Sequence, residues 1–360
     1  MSSSDYTPDS SLYGSDQDNS ARRTCDDEPS GKATNSDCIV IGGGITGLII
    51  ANILQRNGIK VTVLDKGKGI GGRLATRRVN WEDSIEGVFD YGTQYFSVDS
   101  PQFQVWVADW LKNGVVKEWC RGFGRTDGKL LYCGINGTRA IAKYLAKDLD
   151  VHTKTKVVRV KYDKKWLVET ENERQYEGDM LVITSPVPQS LSLLDDSLIP
   201  LPLEVRFSLE EIEYYPCIAV LALLEKPSKI PTPGGIALED DALIWLGDNY
   251  QKGISPNGYA VTIHANHQFS DYYWDSDDAE IAYKLFIAAA DYLDSTVMRY
   301  QVHRWRYSVP KTFYSEPCLT LLELPLVMAG DAFVAPTIEG AVISGIAAGK
   351  SISQRFGVSS

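Results

Sequence analysis

The chain has 360 residues, 44% of them hydrophobic and 23% charged, with a formal charge of −11. That length and balance suit a two-domain protein with a substantial core, and they exclude collagen, a coiled coil and wholesale disorder. The acidic total makes nucleic acid an unsuitable partner, and the longest apolar run, residues 217–224, is under half of the ~20 residues that a membrane span needs.

Residues 1–36 are mostly Ser, Asp, Asn, Thr, Gly and Pro with almost no aliphatic content, so they read as a disordered acidic tail. The tail lacks the basic start and apolar stretch of a secretory signal and is too acidic for a transit peptide, which predicts a cytoplasmic location. Six cysteines without a CxxC and four dispersed histidines predict free thiols and no metal site.

At Asp37 the composition changes to CIVIGGGITGLIIANILQRNGIKVTVLDK, a strand at 38–41, a glycine turn, a helix at 45–56 and a strand at 61–64. A glycine-rich loop and a polar stretch to Glu86 follow, then FDYGTQYF, which alternates like a strand. Phe103, Trp106, Val107 and Trp110 recur at helical spacing over 101–111, and 137–148 reads as another helix. Residues 151–178 alternate in short pieces, as an antiparallel meander does. A strand over 179–184 leads into SPVPQSLSLL, whose prolines predict a domain exit. Between 201 and 307 the pattern predicts a helix, strands near 212–224, 243–247 and 259–264, a helix at 277–293 and a strand at 297–307. The last element, LPLVMAGDAFVAPTIEGAVISGIAAGKSI, reads strand, turn and helix, closing back on the first unit.

Three motifs carry chemistry. Gly42-x-Gly44-x-x-Gly47 follows a strand and opens a helix, and Asp65 ends the next strand, which together make a dinucleotide site. Gly42 permits the tight turn, Gly44 admits a pyrophosphate to the backbone amides, Gly47 allows helix-on-strand packing, and Asp65 accepts from an adenosine ribose. Six residues later Gly71-Gly72-Arg73, continued as Leu-Ala-Thr-Arg77-Arg78, offers more amides and a guanidinium for the phosphates of an extended FAD. Last, Gly330-Asp331 with a helix starting near Ile338 can hold a ribityl hydroxyl and stabilise charge on a reduced flavin ring.

Taken together, these motifs resemble the FAD-linked flavin oxidoreductases with the amine-oxidase type of two-domain fold. DKGKGIGGRLATRR, YGTQYF, VITSPVPQSLSLL, VTIHANHQF, HRWRYS and GDAF…EGAVISG make the chain similar to the renalase family from 37 to about 353. The resemblance implies an α/β fold: a Rossmann-type FAD-binding domain of the p-hydroxybenzoate-hydroxylase-like type, and a discontinuous α+β substrate domain built on an antiparallel sheet. The boundaries it suggests are 37–100 with 130–186 and 308–355 for the FAD domain, and 101–129 with 187–307 for the substrate domain. Its flavin contacts carry over to Thr46, Asp65, Lys66, Arg73, Gln94, Tyr95, Val158, Asp331 and Ile338. The implied reaction is oxidation of reduced nicotinamide species, the 2- and 6-dihydro isomers of NAD(P)H, by hydride transfer to flavin N5 and then to O2, yielding H2O2.

A dihydropyridine that loses hydride becomes an aromatic pyridinium, so the chemistry needs positioning and no dedicated base. His264, Trp305 and Tyr307 are the expected catalytic residues, the last two sharing one face of a strand. Flavin amine oxidases usually place a lysine near N5, and the comparable stretch from Tyr215 to Val220 has none. No residue for covalent flavin attachment is evident, so non-covalent FAD is expected, in a monomer. Two other readings stay open: an amine oxidase or desaturase on the same scaffold, and a non-catalytic flavin-containing interaction or sensor protein.

Overall fold

The computed structural model describes residues 33–82, 85–123, 128–321 and 323–358. β1 (Thr34–Ile41) is buried on both faces over its second half, passes through the glycine turn into α1 (Ile45–Arg56), and is joined in parallel by β2 (Val61–Leu64). A run that is apolar on both faces belongs inside a parallel sheet covered by helices. The hairpin β3 (Thr76–Glu82) and β4 (Ile85–Asp90) follows, then α2 (Pro101–Lys112), a second hairpin of β5 (Val116–Arg121) and β6 (Leu130–Gly134), and α3 (Arg139–Leu145). β7 (Asp150–His152) adds to β2 in parallel, and β8 (Val157–Asp163) and β9 (Lys165–Thr170) fold back onto β10 (Gln175–Ile183), which pairs with β1.

After α4 (Val187–Asp196) and α5 (Leu203–Glu210) the chain builds a second, antiparallel sheet. Its strands are β11 (Tyr214–Leu224), β12 (Gly235–Ala237), β13 (Leu243–Asp248) and β14 (Tyr259–Ala265). Helices α6 (His267–Tyr272), α7 (Asp278–Ala288) and α8 (Ala290–Leu293) precede its edge strand β15 (Val297–Pro310). β16 (Leu319–Thr320), β17 (Leu326–Met328) and α9 (Ile338–Arg355) then return to the first sheet. The strand orders are β16-β17-β10-β1-β2-β7, with β9 and β8 branching from β10, and β12-β13-β14-β11-β15.

Several expectations move. The acidic tail lies outside the described residues up to residue 32, but 34–36 belong to β1 and pair with Tyr176, Glu177 and Gly178. The polar stretch before Glu86 contains β3: Arg77 and Arg78 are paired with Phe89 and Val88, so the hairpin holds residues that composition alone places in a loop. FDYGTQYF leaves regular structure after Asp90, and the backbone N–H groups of Tyr91 and Thr93 donate instead to the Ala75 and Arg73 carbonyls at 3.0 and 2.9 Å. The two prolines of SPVPQSLSLL stand at the cap and first turn of α4, where a missing N–H costs nothing.

The domain boundaries move as well. The α2 residues Phe103, Trp106, Val107 and Trp110 pack with Ile45, Leu48, Leu74 and Val342, so 101–112 lies with the first sheet's helices. Likewise Val187, Leu191, Leu194 and Leu209 join Ile39, Leu181 and Trp166, which keeps α4 and α5 on the first sheet and puts the crossover at β11. The second core, around Ile218, Val220, Val261, Ile263 and Leu285, belongs to the antiparallel sheet and the helices behind it.

Candidate active site

The turn after β1 and the loop after β2 form one cradle. Gly42 has φ +112°, and a Cβ on Gly47 would stand 2.1 Å from the Gly42 carbonyl, so that residue must be glycine for α1 to reach β1. A Cβ on Gly44 would meet nothing within 4 Å, which leaves open space in front of the first amides of α1. The second glycine motif is pinned to the first: Gly71 N–H donates to the Gly43 carbonyl at 2.8 Å, and Gly44 and Gly71 form a parallel bridge. At the end of β2 the Asp65 carboxylate accepts from the N–H groups of Gly43 and Gly67, both at 2.6 Å, and keeps further lone pairs for a diol. Two glycine loops, a helix N-terminus and an oriented carboxylate are what an adenine dinucleotide needs, and the residues fit FAD.

Arg73 and Asp331, expected on the phosphates and the ribityl chain, are joined to each other. The guanidinium donates to both carboxylate oxygens at 2.6 and 2.7 Å and to the Ser308 carbonyl at 2.9 Å. This bidentate pair ties the glycine loop to the turn after β17 and to the end of β15. Burial opposes the arginine's charge, but the Asp331 carboxylate outweighs it and holds the guanidinium pKa above its ordinary value. The hydroxyl of Thr46 donates to the Ala341 carbonyl in α9 at 3.0 Å, and both residues line the cavity. Lys66 donates to Gln189 at 3.0 Å. Val158, more exposed than most apolar residues, and Ile338, at the first position of α9, both line the cavity. The cap of α9 is Thr337, whose hydroxyl accepts from Gly340 N–H at 3.0 Å.

The cradle opens into one continuous cavity of about 5210 Å³ whose far wall is the second sheet. Trp245, His264, Ala219 and His303 stand in register across β13, β14, β11 and β15, so they share one face, with the small Ala219 between the two histidines. Tyr91, at the end of the first hairpin, lies over this face. Its ring stacks on Trp305 at 5.3 Å and meets His303 edge-on at 4.9 Å. Its carbonyl is approached by Trp305 Nε1 at 2.8 Å and His264 Nε2 at 3.1 Å. A carbonyl only accepts, so Nε2 of His264 carries the proton, and burial then pushes the pKa of this ring down to about 4. His303 is held at about 4 by burial and by Arg77 and Arg304. Both imidazoles are neutral at pH 7. His264 and Trp305, expected as catalytic groups, therefore spend their N–H donors on fixing Tyr91. Tyr307, further along β15, meets Tyr214 edge-on at 5.5 Å and lines the cavity.

Beneath this wall lies a polar network that sequence reasoning missed. Asp90 and Lys252 are fully buried and 2.7 Å apart. Asp90 also accepts from the Thr76 and Thr138 hydroxyls and from Thr138 N–H, while Lys252 also donates to the Gln94 carbonyl at 2.6 Å. Gln94 donates to the Asp90 carbonyl at 2.6 Å, and its buried Oε1 has no partner among the described residues. Tyr95 packs with Phe123 at 4.9 Å and Trp245 at 5.2 Å. The only sequence signals were an aspartate closing an apolar strand and a lysine in a turn, and neither type is expected inside.

The fold and the cradle define the class: a two-domain flavoprotein oxidoreductase that takes FAD as its cofactor. Residues 40–110 match the NAD(P)-binding Rossmann-like domain, and residues 103–352 match the flavin containing amine oxidoreductase family. The chain belongs to that family of FAD-dependent oxidoreductases. It is 24% identical to renalase from Mus musculus over 335 residues, 86% of this chain and 97% of the mouse protein. Among solved structures it is similar to a putrescine oxidase bound to putrescine, with 13% identity, a TM-score of 0.67, and coverage of 90% of this chain and 100% of the other. A fatty acid isomerase from P. acnes that produces CLA shows 12% identity and a TM-score of 0.65, over 89% of this chain and 98% of the other. Among the described residues no helix is long and apolar enough to cross a membrane.

Proposed function

We propose that the chain oxidises reduced nicotinamide species, the 2- and 6-dihydro isomers of NAD(P)H, and passes the electrons to O2. Non-covalently bound FAD would supply the two-electron chemistry, with N5 as the hydride acceptor; the hydride and one proton from solvent together account for the reduction of O2 to H2O2. Gly42, Gly44, Gly47 and Asp65 hold the adenosine and pyrophosphate half, and the amides at the start of α9 face the flavin ring. Arg73 keeps Asp331 in place as an acceptor. Tyr91 and Trp305, both half-buried at the cavity wall, offer flat apolar surface on which a planar ring can be positioned.

The observation that carries this reading is that the wall offers only weak bases. His264 and His303 are both held at about 4, β11 has no lysine, and the buried Lys252 is engaged by Asp90 at 2.7 Å. A dihydropyridine needs no base, because the hydride leaves behind an aromatic cation with no proton to remove. The similarity to mouse renalase over nearly its whole length supports the same reading. The test is anaerobic mixing of the FAD-loaded protein with 6-dihydro-NAD and, separately, with putrescine. Rapid bleaching of the flavin band by 6-dihydro-NAD alone is expected, and bleaching by putrescine alone overturns the proposal.

A further inference from the structure

The face of β15 that carries Trp305 continues away from the cradle as His303, Gln301 and Arg299, because alternate residues of a strand share a side. Register confirms the side: His303 and Gln301 stand opposite Ala219 and Leu221, which pack under the first hairpin, whereas Val302 joins the core behind the sheet. At ~3.3 Å per residue, the row from Trp305 to Arg299 is about 20 Å long. Arg77 of β3 leans over the same row, with its guanidinium 4.8 Å from the Tyr91 ring and one nitrogen 2.9 Å from Gln301 Oε1.

The charge here runs against that of the molecule. In a chain of net charge −11, neither Arg77 nor Arg299 pairs with a carboxylate among the described residues. The acids that line this end of the cavity are engaged elsewhere: Glu86 with Arg78 at 3.3 Å, and Asp278 with Arg304 at 2.6 Å on the other side of the sheet. An arginine held against an aromatic ring and an amide, instead of a carboxylate, keeps donors for an incoming anion. The row lines the same cavity as the glycine cradle, so whatever lies on Tyr91 and Trp305 has a cationic track leading outward from it.

We propose that Arg77 and Arg299, with His303 and Gln301 between them, bind the pyrophosphate and adenosine tail of a dinucleotide substrate whose reactive ring lies at Tyr91 and Trp305. The proposal deepens the functional reading above and rests on it for the identity of the reactive ring. The tail site is separate from the cofactor's own ADP site, which the glycine cradle supplies, so the test uses FAD-loaded full-length protein.

ADP-ribose, which lacks the nicotinamide, is titrated by calorimetry. It is expected to bind, Arg77→Gln to weaken it about tenfold, and Arg77→Lys, which keeps the charge, to recover much of that loss. Arg299→Gln supplies a second variant at the far end, with an expected loss of about threefold. ADP-ribose that fails to bind the parent, or that binds both glutamine variants as tightly as the parent, overturns the proposal. Anaerobic reduction by 6-dihydro-NAD and by 6-dihydronicotinamide riboside separates the two claims. Reduction by both at equal concentration dependence removes the tail site and leaves the dihydronicotinamide reading standing. If neither reduces the flavin, that reading fails, while ADP-ribose affinity that depends on Arg77 still supports the anion track.

Discussion

Lys252 and Asp90 show how much a single buried pair can decide. The carboxylate is embedded between Thr76, Thr138 and the lysine, all of them buried. Replacing Lys252 by Met leaves the Asp90 charge without its cation, an effect of about 3–5 kcal/mol that a urea titration reads directly. Adding Asp90→Asn to that variant is expected to restore part of the loss, because the uncompensated charge is gone. A single variant as stable as the parent would mean the pair holds nothing together. The two wall histidines make a separate prediction. Both lie at about 4 in the folded chain against an ordinary 6.5, so between those values the unfolded chain binds protons that the folded chain refuses. Their contribution to stability is therefore complete above pH 6.5, falls as the pH drops, and levels off below about 4. His264→Gln keeps an N–H for the Tyr91 carbonyl and removes one titration. Its melting temperature should depend less steeply on pH across this window, and superimposable slopes would contradict the assignment.

Among the elements, the turn from β1 to α1 separates a structural glycine from a binding one. Gly47→Ala puts a methyl 2.1 Å from the Gly42 carbonyl, so α1 must move off the sheet and the variant is expected to lose stability and FAD together. Gly44 has extended backbone, φ −74° and ψ 175°, and nothing within 4 Å of a Cβ. Gly44→Ala is expected to fold like the parent and to bind FAD at least about tenfold more weakly, because the methyl takes the space that the phosphates approach. Circular dichroism and FAD titration on the two proteins check this contrast. Equal losses of fold in both, or full FAD affinity in Gly44→Ala, would refute the cradle. The hairpin of β3 and β4 has a comparable double use: its strands hold Phe89 against Ala219 and Leu221, and its end delivers Tyr91 to the wall.

Across the whole molecule, the second sheet is joined to the first hairpin and to the glycine cradle by polar ties as well as by apolar packing. Lys252 reaches Asp90, Thr262 donates to the Asp90 carbonyl at 2.8 Å, and Arg73 reaches both Asp331 and Ser308. With the crossover strands anchored this way, the protein is expected to unfold in one calorimetric transition with or without FAD. The cofactor should raise that transition, by about 2.7 kcal/mol of stabilisation when free FAD stands at a hundred times its Kd. Two resolved transitions would show that the ties do not couple the sheets.

Much of the cofactor half could be read along the chain, since its signals are local: Gly42, Gly44 and Gly47 lie within six residues at the strand-to-helix turn, Asp65 ends the adjacent strand, and Gly71 to Arg73 follow within eight residues. Turn geometry and strand periodicity depend on near neighbours, so a linear string carries them. The wall could not be read that way. Tyr91, His264 and Trp305 are separated by 173 and 214 residues in the two hydrogen bonds that join them, and the Asp90–Lys252 pair spans 162. Which face of a strand meets which hairpin, and whether a charged side chain finds its partner out of water, is settled only when the sheets close on each other. That closure made His264 a neutral donor to a backbone carbonyl, joined Arg73 to Asp331, and left Arg77 and Arg299 without an acidic partner among the described residues, because each outcome depends on distances that local sequence does not encode.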